Sequence, residues 1–254
     1  MFALEKQRNI YRTIGLSAIA ACAFQMVSGP AALAFALKDK DGNSIHGAIF
    51  KEALGNRVAP KNLKLLIEVA DKTFPTTGQY FFSKGKLKSS ASFVQREQMK
   101  AINFAHDADT NPKDRYRALK HLAMMLRACQ DFYSHSKYLE IEAAREQARK
   151  EKVFDPYQME LFDWSKLGNA GYLEYEGMHV DDGGRPMETE EEGSGKLGAA
   201  TYFKAARELA VRETARQFDV YMAIVKQKYK TRNLTITTAL REASAPPVDD
   251  EDID

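Results

Sequence analysis

Apolar residues recur at three- and four-residue steps through most of the chain, and strict apolar–polar alternation is scarce. That periodicity predicts helices. Ser44 can cap a helix over residues 45–54 that ends at Gly55. A second helix is expected over 60–73, with Leu63, Leu66, Ile67 and Ala70 on one face. Residues 74–92 carry Pro75, Gly78 and Gly85 and read as a loop, followed by helix over 91–105 and a polar turn over 107–113. The strongest stripe belongs to residues 113–151, where Ala118, His121, Leu122, Met125, Ala128, Cys129, Phe132 and His135 line one side. Its charged end, 140–152, reads as a continuation of the same helix on the surface. Residues 199–229 form another long helix, with Phe203, Ala206, Leu209, Ala210, Thr214, Phe218 and Met222 on its apolar side. The expected fold class is all-α, a single multi-helix domain.

The ends of the chain break this pattern. Lys6, Arg8 and Arg12 precede residues 13–36, which carry no charge and finish in the small-residue motifs Ala32-Leu33-Ala34 and Ala34-Phe35-Ala36. A charged start, an apolar centre and an A-x-A end describe a secretory signal peptide over 1–36 and an exported, periplasmic or secreted, protein. The alternatives are an uncleaved membrane anchor, since the uncharged run is long enough to span, and a lipoprotein lipidated at Cys22 within Ile19-Ala20-Ala21-Cys22. The helical domain is expected over 37–230 and a C-terminal tail over 231–254, its acidic, proline-containing end disordered. The acidic, glycine-rich stretch 181–198 reads as a mobile loop.

Composition narrows the chemistry. The chain has 254 residues, enough for one domain with tails, and is 44% hydrophobic, enough for a core. A net charge of +2 gives no specific nucleic-acid signal. Of the two cysteines, Cys22 lies in the leader, so after cleavage Cys129 has no intrachain partner and no disulfide is expected.

Five histidines are candidates for chemistry. Asp131 and His135 stand four residues apart and project from one helix face. A carboxylate and an imidazole at that spacing can reach one metal ion or two adjacent ones. On an inward face Asp131 needs a partner, because an unpaired buried carboxylate costs several kcal/mol. Arg127, one turn earlier, is the simplest: an i, i+4 ion pair.

The stretch Gln130-Asp131-Phe132-Tyr133-Ser134-His135-Ser136, with Glu140 beyond, resembles the core motif of the zinc-dependent phospholipase C / Het-C superfamily, typically L-H-x-x-Q-D-F-Y-x-H-S-N-x-x-E. Supporting pieces fall in family order. The segment from Ser44 to Leu54 is similar to the early histidine helix, Asp71 closes a helix where the family has a ligand aspartate, and Phe104-Ala105-His106-Asp107 resembles the histidine motif before the core. His179 precedes a loop, and residues 202–214 resemble the later helix. The match spans roughly residues 35–225, but only the core motif is specific.

The resemblance implies zinc, up to three ions. Asp71, His106 and Asp131 would form one site. His46 and Asp131, with the amine freed by signal cleavage, would form a second. His135 and His179 would form a third with an unassigned carboxylate, for which Asp181 and Asp182 are the weak candidates. Asp71 and Asp131 would serve catalysis, and metal-activated water would attack a phosphodiester such as a phospholipid. Membrane contact would come through that substrate or through an uncleaved or lipidated N-terminus. One departure stands out: the family has a histidine where this chain has Arg127, which cannot ligate zinc. Fewer than three metals are then expected. The alternative is a non-catalytic binding or structural protein in which an Arg127–Asp131 ion pair replaces a metal.

Overall fold

The computed structural model describes residues 42–72, 80–149, 155–167, 174–185, 187 and 189–245. The leader expected over 1–36 and the tail end from 246 lie outside the described residues. Among the described residues the chain is all-α: seven helices and two minimal hairpins.

Ser44 opens α1 (Ile45–Leu54) as expected, its hydroxyl accepting from the Gly47 amide at 2.8 Å. Helix α2 covers Pro60–Lys72, and α3 covers Leu87–Phe104. Helix α3 starts four residues earlier than the pattern suggested. The Asp181 carboxylate accepts from the Leu87 amide at 2.8 Å, so a distant loop supplies its N-terminal partner. Asn111 caps α4 (Pro112–His135), and Pro112 sits in its first turn, where a missing N–H costs nothing.

The long helix expected over 113–151 is two helices. It breaks at Ser136, which adopts an extended conformation, and resumes as α5 (Tyr138–Arg149). The break is held from outside. The Lys137 amide donates to the Val180 carbonyl at 3.1 Å, and the Gly184 amide donates to the His135 carbonyl at 2.7 Å. A Cβ on Gly184 would sit 2.4 Å from the Ser136 carbonyl oxygen, so this approach requires glycine.

Two-residue strands β1 (Glu174–Tyr175) and β2 (Met178–His179) pair antiparallel, as do β3 (Lys196–Leu197) and β4 (Ala200–Thr201). Within the described part of 181–198, Met187 and Leu197 are buried. Helix α6 spans Tyr202–Lys228 with Thr201 as its cap. The region read as tail contains a seventh helix, α7 (Asn233–Glu242), whose Ile236 and Leu240 are buried.

Helix α4 is central and packs against α2, α3 and α6, while α1 packs on α2 and α6. Every residue from 118 to 135 except Met124 is buried. A helix buried all round carries no solvated face. Its polar residues Arg127, Gln130 and Asp131 must therefore find partners inside the protein. Beside them Phe132 sits among Phe82, Phe162 and Trp164, with ring centroids 4.5–5.3 Å away. That packing holds Phe82 at a positive φ of 55°, a conformation that costs a non-glycine residue about 1–2 kcal/mol. Among the described residues no helix is long and apolar enough to cross a membrane.

Candidate functional site

Helices α1, α2, α4 and α6 converge on a polar centre with no solvent access. His46 comes from the first turn of α1, and Arg127, Gln130 and Asp131 come from one side of α4; all four are at most 1% exposed. His46 Nδ1 lies 2.6 Å from Gln130 Oε1, an acceptor, so Nδ1 carries the proton. Gln130 in turn donates through Nε2 to Thr214 Oγ1 at 3.1 Å, and Thr214 donates to the Ala210 carbonyl at 2.7 Å. This chain of bonds fixes the imidazole plane. It leaves His46 Nε2 facing Asp131 Oδ1 at 3.4 Å.

The second partner of Asp131 is Arg127. Its Nε donates to Oδ1 at 3.3 Å and to Oδ2 at 3.1 Å, and its Nη1 donates to the Ala70 carbonyl at 2.9 Å. The guanidinium thus ties α4 to the last turn of α2. Asp71, the next residue of α2, accepts from Ser44 Oγ at 2.8 Å. The hydroxyl that caps α1 therefore also binds the carboxylate of α2.

The expected site residues fall into three places. His46 and Asp131 meet between α1 and α4, while Asp71 lies at the end of α2 against Ser44. His106 lies at the other end of α4, more than half exposed, with Nδ1 2.9 Å from Asp107 Oδ1 and its ring 5.4 Å from Tyr229. The preceding Phe104 stacks on His121, ten residues before Asp131, or about 15 Å along the helix axis. His135 ends α4, and its backbone carbonyl holds the loop that carries His179. The His179 side chain is directed to Glu174, with Nε2 2.9 Å from Oε1. The two weak carboxylate candidates have structural partners: Asp181 caps α3, and Asp182 accepts from the His179 amide at 2.8 Å.

A zinc site can be weighed against this geometry. Two ligands on one tetrahedral zinc stand about 3.3 Å apart, given metal–ligand distances near 2.0 Å. The 3.4 Å between His46 Nε2 and Asp131 Oδ1 matches that separation. Zinc needs further ligands, however. Among the described residues no group of three or more His, Cys, Asp or Glu side chains is placed to hold a metal ion. Arg127 has no lone pair to offer and spans both oxygens of Asp131. The described surroundings of Asp131 fit an organic cation better than a zinc ion.

A second buried carboxylate, unremarked in the sequence, belongs to Glu213, the residue before Thr214. Glu213 of α6 accepts from Tyr133 Oη at 2.9 Å, Trp164 Nε1 at 2.8 Å, Gln217 Nε2 at 2.7 Å and Arg216 Nη2 at 2.6 Å. Burial works against the Arg216 charge, but the charge and hydrogen bonds of Glu213 outweigh it and hold the guanidinium above its ordinary pKa. Burial, reinforced by the Glu213 charge, pushes the Tyr133 hydroxyl well above the usual tyrosine range. The chain gave a signal for this cluster: Glu213 and Arg216 lie three apart, inside an otherwise apolar helix stripe.

Comparison with protein-family models, curated proteins and solved structures yields no match.

Proposed function

We propose that the protein is a non-catalytic, Het-C-like helical protein in which the Arg127 guanidinium takes a metal's place beside Asp131. One observation carries this reading: Arg127 bonds both oxygens of the buried Asp131 and reaches across to the Ala70 carbonyl. One positive charge of the two a dication would supply is then part of the covalent chain. The centre braces α1, α2, α4 and α6, and its role is to hold a binding scaffold together. The charged start and uncharged run of residues 1–36 support export as the setting for that scaffold.

The second reading is the metal-dependent phosphodiester hydrolase, acting on phospholipid or a related substrate, with Asp71 and Asp131 as its carboxylates. The His46–Asp131 separation of 3.4 Å favours it.

Metal analysis of purified full-length protein tests both. The first reading expects less than one zinc per chain and no change in unfolding temperature on adding a chelator. It also expects Arg127→His to raise metal content, since the substitution restores a ligand. One or more zinc ions per wild-type chain, with a chelator lowering the unfolding temperature, would replace the first reading with the second.

A further inference from the structure

At the corner between α6 and α7 the chain reads Lys226-Gln227-Lys228-Tyr229-Lys230-Thr231-Arg232, four cations in seven residues. Residues 228–232, with His106 and Ile236, line a cavity of about 320 Å³. None of the residues lining it is acidic. Lys228 Nζ is held by a neutral acceptor, Asn103 Oδ1 at 2.8 Å, so its charge is positioned without being cancelled. Lys228 also lies over the Tyr229 ring at 5.4 Å. Arg232 is braced by Asp109 and by Asp107, whose other partner is His106. The two carboxylates orient the arginine and the imidazole, and leave the exposed Lys228 and Lys230 ammonium groups to define the charge of the cavity.

We propose that this corner is a binding site for a phosphate-type oxyanion. Lysine ammonium groups act on phosphate as point charges and need no fixed plane. The Thr231 hydroxyl adds a neutral donor. The volume is at the lower end of ordinary ligand pockets and exceeds that of a bare phosphate, so a phosphomonoester or phosphodiester with its substituent fits the class. Leu234, 74% exposed in the first turn of α7, stands beside the cationic segment. A leucine side chain beside lysines can enter an apolar layer while they meet the headgroups, so a lipid headgroup is one source of phosphate to test. The site is independent of whether Asp131 meets Arg127 or a metal.

Calorimetry with inorganic phosphate on the full chain tests the site. Saturable one-site binding is expected, weakened at least about ten-fold by the double substitution Lys228→Glu with Lys230→Glu. Lys86→Glu with Lys88→Glu, both exposed at the far end of α3 and about 22 Å from the Asn103 end by helix rise, matches the change in net charge and should change affinity less than about two-fold. Both lysines are exposed, and circular dichroism checks that the variants keep their helices. Sedimentation with phosphatidylglycerol or phosphatidylcholine vesicles separates the sources. Retention by the anionic vesicles alone, lost in Leu234→Ser, assigns the phosphate to a lipid headgroup; phosphate binding without vesicle retention assigns it to a soluble compound. Absence of saturable phosphate binding, or an equal loss in the Lys86→Glu, Lys88→Glu control, would each overturn the proposal.

Discussion

Asp131 and Glu213 are both fully buried carboxylates in the same helical core, and they are satisfied in different ways. Glu213 gathers donors from four side chains on three segments, and the charge balance is local to Arg216. Asp131 bonds a guanidinium from its own helix and faces Nε2 of an imidazole whose Nδ1 is held by Gln130. The first arrangement is a clamp: it fastens residues 162–164 to α4 and α6 through Phe162, Trp164 and Tyr133. The second pairs the carboxylate with a cation one turn earlier on the same helix. What separates the two centres is where the charge partner and the donors come from: three segments bond Glu213, while Arg127 and Asp131 share α4.

Removing Glu213 should therefore have the largest effect. Glu213→Ala leaves Tyr133, Trp164, Gln217 and Arg216 without their shared acceptor, and should cost about 3–5 kcal/mol in denaturant unfolding. A loss below about 1 kcal/mol would mean that water or another acceptor fills the clamp.

Arg127→Met comes next. It strands the Asp131 charge, and about 3 kcal/mol should be lost. Adding Asp131→Leu removes the stranded charge, so the double variant should recover most of the loss. Recovery on adding zinc to the single variant instead would turn the comparison around, making Asp131 a ligand waiting for its cation.

The smallest effect belongs to a third carboxylate, Glu97 of α3, nearer the surface. Its Oε2 lies 2.6 Å from His121 Nδ1, with Arg96 and Lys100 at 3.5 Å from Oε1. Burial pushes its pKa up, but the hydrogen bond and charge of His121, with Lys100 and Arg96, outweigh that and hold it below the ordinary value. A folded pKa below the unfolded one gives stability that is present above the unfolded value and lost as pH falls through the folded one. Unfolding free energy should thus decline as pH drops below about 4.3, and Glu97→Gln should flatten that acid limb. An unchanged acid limb in Glu97→Gln would show that other carboxylates govern it.

The helix pattern was largely legible in the sequence because apolar spacing is a local property. Ser44, Gly55 and Asn111-Pro112 mark boundaries through their own backbone chemistry, and the structure uses all of them. The break at Ser136 was not legible, since its cause is the carbonyl of Val180 and the backbone of Gly184, more than forty residues away. Helix α7 was hidden in NLTITTALRE, where threonines dilute the spacing of Ile236 and Leu240. At the site, the i, i+4 pairing of Arg127 and Asp131 was readable from spacing alone. The His46–Gln130 bond joins α1 to α4 across 84 residues, and only the fold could place it. The contact of His106 with Tyr229 of α6 is likewise a product of the fold, while its pairing with the adjacent Asp107 is local.

Cys129 lies on α4 within the electrostatic reach of both buried carboxylates. It is fully buried, and burial together with the Glu213 and Asp131 charges pushes its thiol well above the usual range. A thiol reagent can react with it only after α4 separates from its neighbours. The rate at which Cys129 is alkylated is thus a built-in clock for core opening, readable by mass spectrometry without a label on either carboxylate.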